Sequence, residues 1–292
     1  MKVVRLNQQQ LATVSQPTRQ VIALGFFDGV HQGHQRVIAR ARHLADQRHV
    51  PLAVMTFNRH VSRVFNTSRQ TDFRYLNTLN QKLDLLAQNR VDTTYVVDFD
   101  RDFAAIAPEK FVADYLIGLN ACVVVGGFDY TFGRGGQANI GDMPRYNHHA
   151  FDVAVVAELD NAKQKIGSTQ IRRLVKYGQI SQANDLLGHH YALAGQLVAV
   201  HATDRPVFQP ASRLQQLPPC GRYDCQMTGR GVTLAGTLVV APRCIWMESF
   251  DLATTLDLRA DGNCTVELAL LKQQVVGAQP VLSAHHDLIS AI

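Results

Sequence analysis

Two histidines three residues apart, His31 and His34, lie in the stretch LGFFDGVHQGHQ at 24–35. The apolar run VIAL at 21–24 predicts a buried strand of a parallel sheet, and apolar residues at helical spacing follow over 37–45. The stretch is therefore a predicted strand-to-helix turn. Side chains three apart share a helix face, and a helix N-terminus attracts phosphate. Both imidazoles are candidates to donate hydrogen bonds to phosphate oxygens; the alternative is a turn with two solvated histidines.

A second stretch, GGFDYTFGRGG at 126–136, follows a predicted strand at 122–126. Its glycines allow a ligand to approach the backbone closely. Asp129 is a candidate acceptor for hydrogen bonds from a base or ribose, and its aromatic neighbours are candidates to stack on a ring. The alternative is a glycine-rich surface loop.

A third stretch, KIGSTQIRRLV at 165–175, predicts the start of a helix with Ser168 as its N-cap. Arg172 lies three or four residues beyond Thr169 and Ser168, so it shares their face of the helix. Two hydroxyls, free N–H groups and a guanidinium together would bind phosphate. An ordinary capped helix with a solvated arginine is the alternative.

Strands must hold these three stretches together. Predicted strands at 52–57, 94–99, 122–126 and 153–156 alternate with amphipathic helices, which favours a parallel sheet covered on both faces. Ligands bind such sheets beyond the carboxyl ends of the strands. After residue 190 the pattern changes to short alternating strands at 193–200, 223–227, 237–240, 256–258 and 265–271, typical of a β-barrel. We therefore predict domains at 1–188 and 189–292.

Composition limits the classes of function. The chain has 292 residues, 46% of them hydrophobic, and a net charge of +5 that suits polyanionic nucleotides. Its Lys and Arg residues are scattered, which argues against nucleic-acid binding. The absence of a signal core or a long apolar run predicts a cytoplasmic protein without a membrane partner. Five cysteines without metal spacing predict free thiols, and the histidine pairs at 148–149, 189–190 and 285–286 predict surface residues rather than a metal site.

The sequence GFFDGVHQGHQ resembles the signature of the prokaryotic bifunctional riboflavin kinase/FAD synthetases, whose N-terminal domain belongs to the HxGH nucleotidyltransferase superfamily. GGFDYTFG is similar to the family's G-x-D-F-x-F-G motif, with Tyr130 for the first Phe. GSTQIR resembles S-S-T-x-I-R, with Gly167 for the first Ser. The resemblance is strong to about residue 198. It implies an α/β fold with a Rossmann-like first domain, followed by a small riboflavin kinase-like β-barrel.

The resemblance also implies a reaction, in which FMN and ATP give FAD and pyrophosphate with Mg²⁺ entering on ATP, and it implies site residues. The implied catalytic residues are His31, His34 and Arg172. The implied nucleotide- and phosphate-binding residues are Gly25, Phe26, Phe27, Asp28, Gly33, Asp129, Ser168 and Thr169. The implied flavin-side residues are Arg59, His60, Phe128, Tyr130 and Phe132.

Two segments depart from the family pattern. TFNRHV at 56–61 replaces T-F-x-P-H-P, so this loop is expected to be looser without its prolines. DRPVFQPASR at 204–213 replaces the kinase motif G-R-x-x-G-F-P-T-A-N. Only Arg205 and Pro210 keep register there, and Ala211 and Arg213 replace the hydroxyl and the amide. Glu267 matches the family's catalytic glutamate, but we predict that kinase activity is lost.

Three readings stay open at this stage. The first is an FMN adenylyltransferase. The second is an adenylyltransferase for another phosphorylated acceptor, such as nicotinamide mononucleotide or a pantetheine phosphate. The third is a regulator that binds flavin or nucleotide without catalysis.

A lysine that the family also carries, Lys82, is predicted to be a solvated helix residue.

Overall fold

A six-stranded parallel sheet forms the first part of the chain in the computed structural model, which describes residues 1–11, 17–65, 73–157, 160–161, 164–198, 206–248 and 263–274. The strand order is β1-β4-β3-β2-β5-β8. The strands are β1 (Lys2–Leu6), β2 (Gln20–Leu24), β3 (Leu52–Phe57), β4 (Thr93–Val97), β5 (Ala121–Gly127) and β8 (Asp152–Val156). Two short strands, β6 (Thr131–Phe132) and β7 (Ala138–Asn139), pair outside this sheet.

Helices connect these strands and cover the sheet. They are α1 (Gln8–Leu11), α2 (Gln32–Arg48), α3 (Val61–Phe65), α4 (Leu79–Gln88), α5 (Arg101–Ala104), α6 (Pro108–Phe111), a π-helix (Val112–Ile117) and two 3₁₀ segments (Arg134–Gly136 and Ile140–Arg145). The predicted apolar face of α2 is buried. Thr78 and Gln81 form a capping box that starts α4.

Both faces of the parallel sheet are packed against apolar side chains. Val21, Ala23 and Val54 point into the cluster under α2, and Ile22, Ala53 and Met55 point into the cluster on the other face. This explains why the central strands read as continuous apolar runs. The chain passes from β2 through β3 to β4 and then returns to the far side of β2 as β5. A crevice therefore opens at the carboxyl ends of β2 and β5.

A closed antiparallel barrel forms the C-terminal part, with strand order β11-β12-β15-β14-β13-β16. Its strands are β11 (Tyr191–Val198), β12 (Val207–Pro210), β13 (Gly221–Gly229), β14 (Val232–Val240), β15 (Ile245–Glu248) and β16 (Asn263–Gln273). The predicted fold class, a parallel α/β sheet followed by a barrel, is confirmed. The predicted strand at 256–258 lies outside the described residues.

Two helices join the sheet to the barrel. The short strands β9 (Asp160–Asn161) and β10 (Gln164–Lys165) precede α7 (Ser168–Lys176) and α8 (Ile180–Leu187). Ile171, Val175 and Leu187 lie in one apolar cluster with barrel residues such as Tyr191 and Leu268. Apolar packing is thus continuous across position 188. No helix within the described ranges is long and apolar enough to cross a membrane.

Candidate active site

The turn between β2 and α2, residues 25–31, has an uncommon backbone. Phe27, Gly29 and Val30 have φ angles of 54°, 80° and 39°. Positive φ is unfavourable for a β-branched residue such as Val30, so the surroundings must hold it. A Cβ at Gly29 would lie 2.7 Å from Leu76 Cδ1, which adds a steric reason for glycine there. The side chains of Phe27 and Val30 are buried in the core under α2, where they anchor the turn.

Every carbonyl of the turn from Phe26 to Val30 accepts a hydrogen bond. Phe26 O accepts from Thr56 Oγ1 at 2.9 Å and from Lys82 Nζ at 3.0 Å, and Phe27 O accepts from Val30 N at 3.3 Å. Asp28 O accepts from Ser168 Oγ at 2.9 Å. Gly29 O accepts from His189 Nε2 at 2.9 Å, and Val30 O accepts from Gln35 Nε2 at 2.8 Å. The donors come from β3, α4, α7, the residues after α8 and α2 itself. Contacts distant in sequence therefore fix the conformation of the turn.

His31 and His34 lie at the start of α2 with their rings stacked, the centroids 3.6 Å apart. His31 is the N-cap, and its Nδ1 accepts from His34 N at 3.4 Å. His31 is buried and His34 is half-buried, which corrects the alternative of two solvated histidines. Burial lowers the pKa of His31 to about 4 and that of His34 well below its ordinary value. Both rings are therefore neutral near pH 7.

Asp28 and Arg172 form a buried ion pair beside these rings, with Oδ2 and Nη1 2.7 Å apart. The other carboxylate oxygen accepts from Leu76 N at 2.9 Å. Burial raises the pKa of Asp28 and lowers that of Arg172, and each charge opposes the shift of its partner. Asp28 therefore orients the guanidinium, which also donates to Thr169 Oγ1 at 3.1 Å.

The N-terminus of α7 contacts the β2–α2 turn. The first and third of the predicted stretches therefore lie side by side, as a shared phosphate site would require. The predicted N-cap is wrong by one residue: Gly167 occupies that position, and Ser168 donates to Asp28 O. No side chain within the described residues caps α7. Its first backbone N–H groups thus remain donors beside Thr169 and Arg172, which is an arrangement that binds phosphate.

An aromatic cluster, formed by Phe26, His60, Phe73 and Tyr75, lies beside the β2–α2 turn. The rings of His60 and Phe73 are stacked at 4.1 Å, and Phe26 meets His60 edge-on at 5.1 Å. The Arg172 guanidinium lies 4.6 Å from the centre of the Phe73 ring. Burial, followed by the charge of Arg172, lowers the pKa of His60 to about 4. Phe73 and Tyr75 were missed because they lie between helices, in no recognisable pattern.

Lys82 is buried, so the prediction of a solvated helix residue is wrong. Its Nζ donates to Phe26 O and Phe57 O, both at 3.0 Å, and to Thr56 Oγ1 at 3.2 Å. Burial lowers the pKa of Lys82 to about 8, and the charge of Asp28 opposes that effect. This lysine links the carboxyl ends of β2 and β3 beneath the crevice.

The loop at 58–61 is held by side-chain hydrogen bonds, and its being looser without prolines stays a prediction. Asn58 Nδ2 donates to Asp98 Oδ1 at 2.7 Å, and its Oδ1 accepts from Phe99 N at 3.0 Å. The hydroxyl of Tyr75 accepts from His60 N at 3.1 Å. Side-chain hydrogen bonds thus replace the missing prolines, and Arg59 is exposed beside them.

The residues after β5 that are predicted to bind nucleotide or flavin differ in their exposure to solvent. Asp129 is exposed and Phe128 is 42% exposed. Tyr130 is half-buried, and burial raises the pKa of its hydroxyl. Phe132 is buried against Phe111 and Tyr146, and its predicted flavin contact stays a prediction. Asp129 raises the pKa of His31 electrostatically, which places the two residues near each other.

The glycines next to the site accommodate neighbouring rings. A Cβ at Gly25 would lie 2.8 Å from the Phe27 ring, and one at Gly33 would lie 3.2 Å from the His31 ring. Both positions therefore need a small residue.

A cavity of about 840 Å³ lies between α4 and the barrel and extends to Phe26, Asp28 and Tyr75 beside the β2–α2 turn. Glu267 lines it and accepts from Gln81 Nε2 at 2.9 Å. Phe208 is buried in the barrel core, with its ring against Gly195, and Ala211 lines the cavity. Arg205 lies outside the described residues.

Known proteins are similar to this chain over much of its length. A family model described as FAD synthetase matches residues 13–170. The bifunctional riboflavin kinase/FMN adenylyltransferase of Listeria monocytogenes is 35% identical over 241 residues, which cover 81% of this chain and 76% of that protein. A FAD synthetase of the same organism is 30% identical over 178 residues, covering 60% and 71%.

A solved structure has the same arrangement of sheet and barrel. A crystal structure described as a macrolide-efflux protein from Streptococcus pneumoniae matches 94% of this chain and 100% of its own, with a TM-score of 0.81 and 25% identity. Since the family model covers more than half of the chain and the Listeria relative is matched over most of its length, the chain belongs to the FAD synthetase family and is a nucleotidyltransferase.

Proposed function

We propose that this protein is an FMN adenylyltransferase, which transfers the AMP moiety of ATP to FMN and releases pyrophosphate. The observation that carries the proposal is the convergence at one crevice of the stacked His31–His34 pair, the uncapped N-terminus of α7 and Arg172. Each is suited to phosphate. A transfer between phosphates needs such positioned donors and no protein nucleophile.

In this mechanism an oxygen of the FMN phosphate attacks the α-phosphorus of ATP, and the bond to the bridging oxygen of pyrophosphate breaks in line. His31 and His34 donate to the phosphate oxygens on which charge develops. Thr169, Arg172 and the first N–H groups of α7 hold the phosphates that leave. Catalysis is then positioning and electrostatic stabilisation.

Mg²⁺ fits this site as an ion carried by the triphosphate. It takes its ligands largely from phosphates and water and dehydrates reluctantly. Within the described ranges no three His, Cys, Asp or Glu side chains cluster, so the protein would supply few ligands. When bound, the ion would neutralise charge on the leaving pyrophosphate.

The aromatic cluster supports FMN as the acceptor. Phe26 and Tyr75 line the cavity, and His60 packs edge-on against Phe26. A flavin ring offers a large planar surface for such contacts, whereas a pantetheine phosphate offers none. Asp129 and the exposed Phe128 would bind the nucleotide from the β5 side.

We further propose that the barrel no longer phosphorylates riboflavin, because Asp204 and Phe208 replace the glycines of the kinase motif and Ala211 stands where the motif has its hydroxyl. Arg59 would act at the flavin side only if it turns inward from its exposed position.

The five cysteines are free, which agrees with a cytoplasmic location.

The test is incubation of the pure protein with ATP, Mg²⁺ and FMN, followed by separation of the flavins. We expect FAD to accumulate in proportion to protein concentration. His31→Gln should abolish most of this activity, whereas His43→Gln, which changes an exposed residue of α2, should not. No FAD above a protein-free control would refute the proposal. A parallel incubation with nicotinamide mononucleotide in place of FMN tests the alternative, an adenylyltransferase for another phosphorylated acceptor.

A further inference from the structure

His189, which the sequence predicts to be a surface residue, follows α8 and its C-cap Gly188 at the junction with the barrel. It is half-buried, and its Nε2 lies 2.9 Å from Gly29 O in the β2–α2 turn. Its Nδ1 lies 3.0 Å from His190 O. A carbonyl oxygen only accepts, so Nε2 is the donor in the contact with Gly29 O.

The end of α8 is docked on the start of α2 around this histidine. Gln32 Nε2 donates to Asp185 O at 2.6 Å, and Gln35 Nε2 donates to Leu187 O at 2.9 Å. The last carbonyls of a helix have no partner within the helix, and here glutamines of α2 satisfy two of them. His189 thus reaches Gly29 from a fixed position.

The bond to Gly29 acts where the turn is most strained. Val30 follows Gly29 with a φ of 39°, and His31 comes next. Other side chains bind the carbonyls on either side, and His189 alone among the described side chains binds that of Gly29. Burial and Arg172 lower the pKa of His31, and the charge of His189 adds to this effect, so the two rings are within electrostatic reach.

We propose that His189 is a positioning residue for adenylyl transfer: its bond to Gly29 O holds the β2–α2 turn so that the His31 imidazole points at the transferred phosphate. The proposal rests on the function proposed above. It assigns His189 no contact with substrate. A displacement of about 1 Å at a reacting centre is enough to lower a rate strongly, so the effect belongs to kcat rather than to substrate affinity.

Two substitutions separate the Gly29 contact from the rest of the side chain. The amide nitrogen of Gln is as many bonds from Cα as Nε2 of His, so His189→Gln can keep the bond to Gly29 O. The amide nitrogen of Asn matches Nδ1, so His189→Asn keeps only the contact with His190 O. We expect His189→Asn to lower kcat about tenfold, with the KM for ATP and FMN unchanged within about twofold.

His189→Gln should retain at least about half of kcat, and His190→Gln, which changes the exposed neighbour, should match the wild type. Thermal unfolding checks that all three variants fold. The proposal is overturned if His189→Asn keeps a kcat near that of the wild type, or if His189→Gln falls as far as His189→Asn.

A measurement on the unmodified protein needs neither turnover nor a folded variant. Long-range ¹H–¹⁵N spectra of the histidine rings should show a proton on Nε2 of His189. An unprotonated Nε2 would overturn the proposal even if FAD is formed. Conversely, a wild-type protein that makes no FAD but shows this proton refutes the proposed function alone.

Discussion

At the scale of single residues, the proposed chemistry depends on two imidazoles that are neutral before substrate binds. His31 Nδ1 accepts from the backbone, so its proton is on Nε2 and this nitrogen is free to donate. Phosphate charge favours protonation of a nearby ring and opposes the effect of burial. The rings therefore interact most strongly when charge on the transferred phosphate increases, which is the condition for catalysis.

His34→Gln should lower kcat about a hundredfold, the scale of losing one positioned donor in an oxyanion-type site. His34→Ala is a less selective test than the sequence suggests, because the ring stacks on His31 and lies edge-on to Phe27 at 5.2 Å. The alanine would also remove packing. Steady-state kinetics with FMN and ATP measure the effect, with His43→Gln as the control. Near-normal turnover in a folded His34→Gln protein would show that His34 has no catalytic part.

The buried histidines also make stability depend on pH. His31 has a folded pKa of about 4 against 6.5 when unfolded. Between these values the unfolded chain binds more protons, so the free energy of unfolding falls as pH falls from about 6.5 to 4. We expect His31 to contribute a loss on the order of 3 kcal/mol at pH 4, since each pKa unit is about 1.4 kcal/mol. Urea unfolding at pH 7 and pH 4.5 measures this, and His31→Asn should reduce the pH dependence. An unchanged dependence would contradict the argument.

At the scale of elements, Lys82 joins the ends of β2 and β3 through α4. Lys82→Met would leave Phe26 O and Phe57 O without this donor in a buried place, so we expect a loss of about 2–3 kcal/mol in the free energy of unfolding. Lys110→Met, which changes an exposed lysine paired with Asp114, should cost less than about 0.5 kcal/mol. Equal effects of the two substitutions in urea unfolding would count against the buried role of Lys82.

The elements themselves were predictable, because the hydrophobic period follows local geometry. The continuous apolar runs gave β2, β3 and β5, and the helical spacing at 37–45 gave α2. The burial of Lys82, His189 and Phe132 could not be predicted, because their surroundings come from segments distant in sequence. A lysine on a helix face is expected to be solvated, and only the positions of β2 and β3 show that Lys82 is buried against their ends. An aromatic residue in a binding motif is likewise expected to be accessible, and only the fold shows that Phe111 and Tyr146 cover Phe132.

At the scale of the whole molecule, a short segment connects the barrel to the β2–α2 turn. Leu76 N donates to Asp28, and Leu76 O accepts from Gln215 Nε2 at 3.2 Å. Gln215 also donates to Gln81 Oε1 at 3.1 Å, and Gln81 donates to Glu267. The barrel therefore supports the site of the first domain through buried hydrogen bonds, and this role does not require kinase activity.

The last prediction is that this protein forms no FMN from riboflavin and ATP. A kinase must bring the γ-phosphate, Mg²⁺ and the flavin hydroxyl into line. Phe208 occupies the barrel core where the family motif has a glycine, and Ala211 has no oxygen to offer a metal. The carboxylate of Glu267 already accepts from Gln81. A base without a positioned phosphoryl donor has nothing to transfer.

Incubation with riboflavin, ATP and Mg²⁺, followed by flavin separation, measures this directly. Parallel incubation with FMN is the control, because formation of FAD there shows that the protein is active. We expect riboflavin to remain unchanged while the control proceeds. If FMN appears at a rate that scales with protein concentration and disappears in Glu267→Gln, the argument fails: the segment at 206–213 would then bind phosphate without glycines, and the hydrogen bond from Gln81 to Glu267 would have to open during turnover.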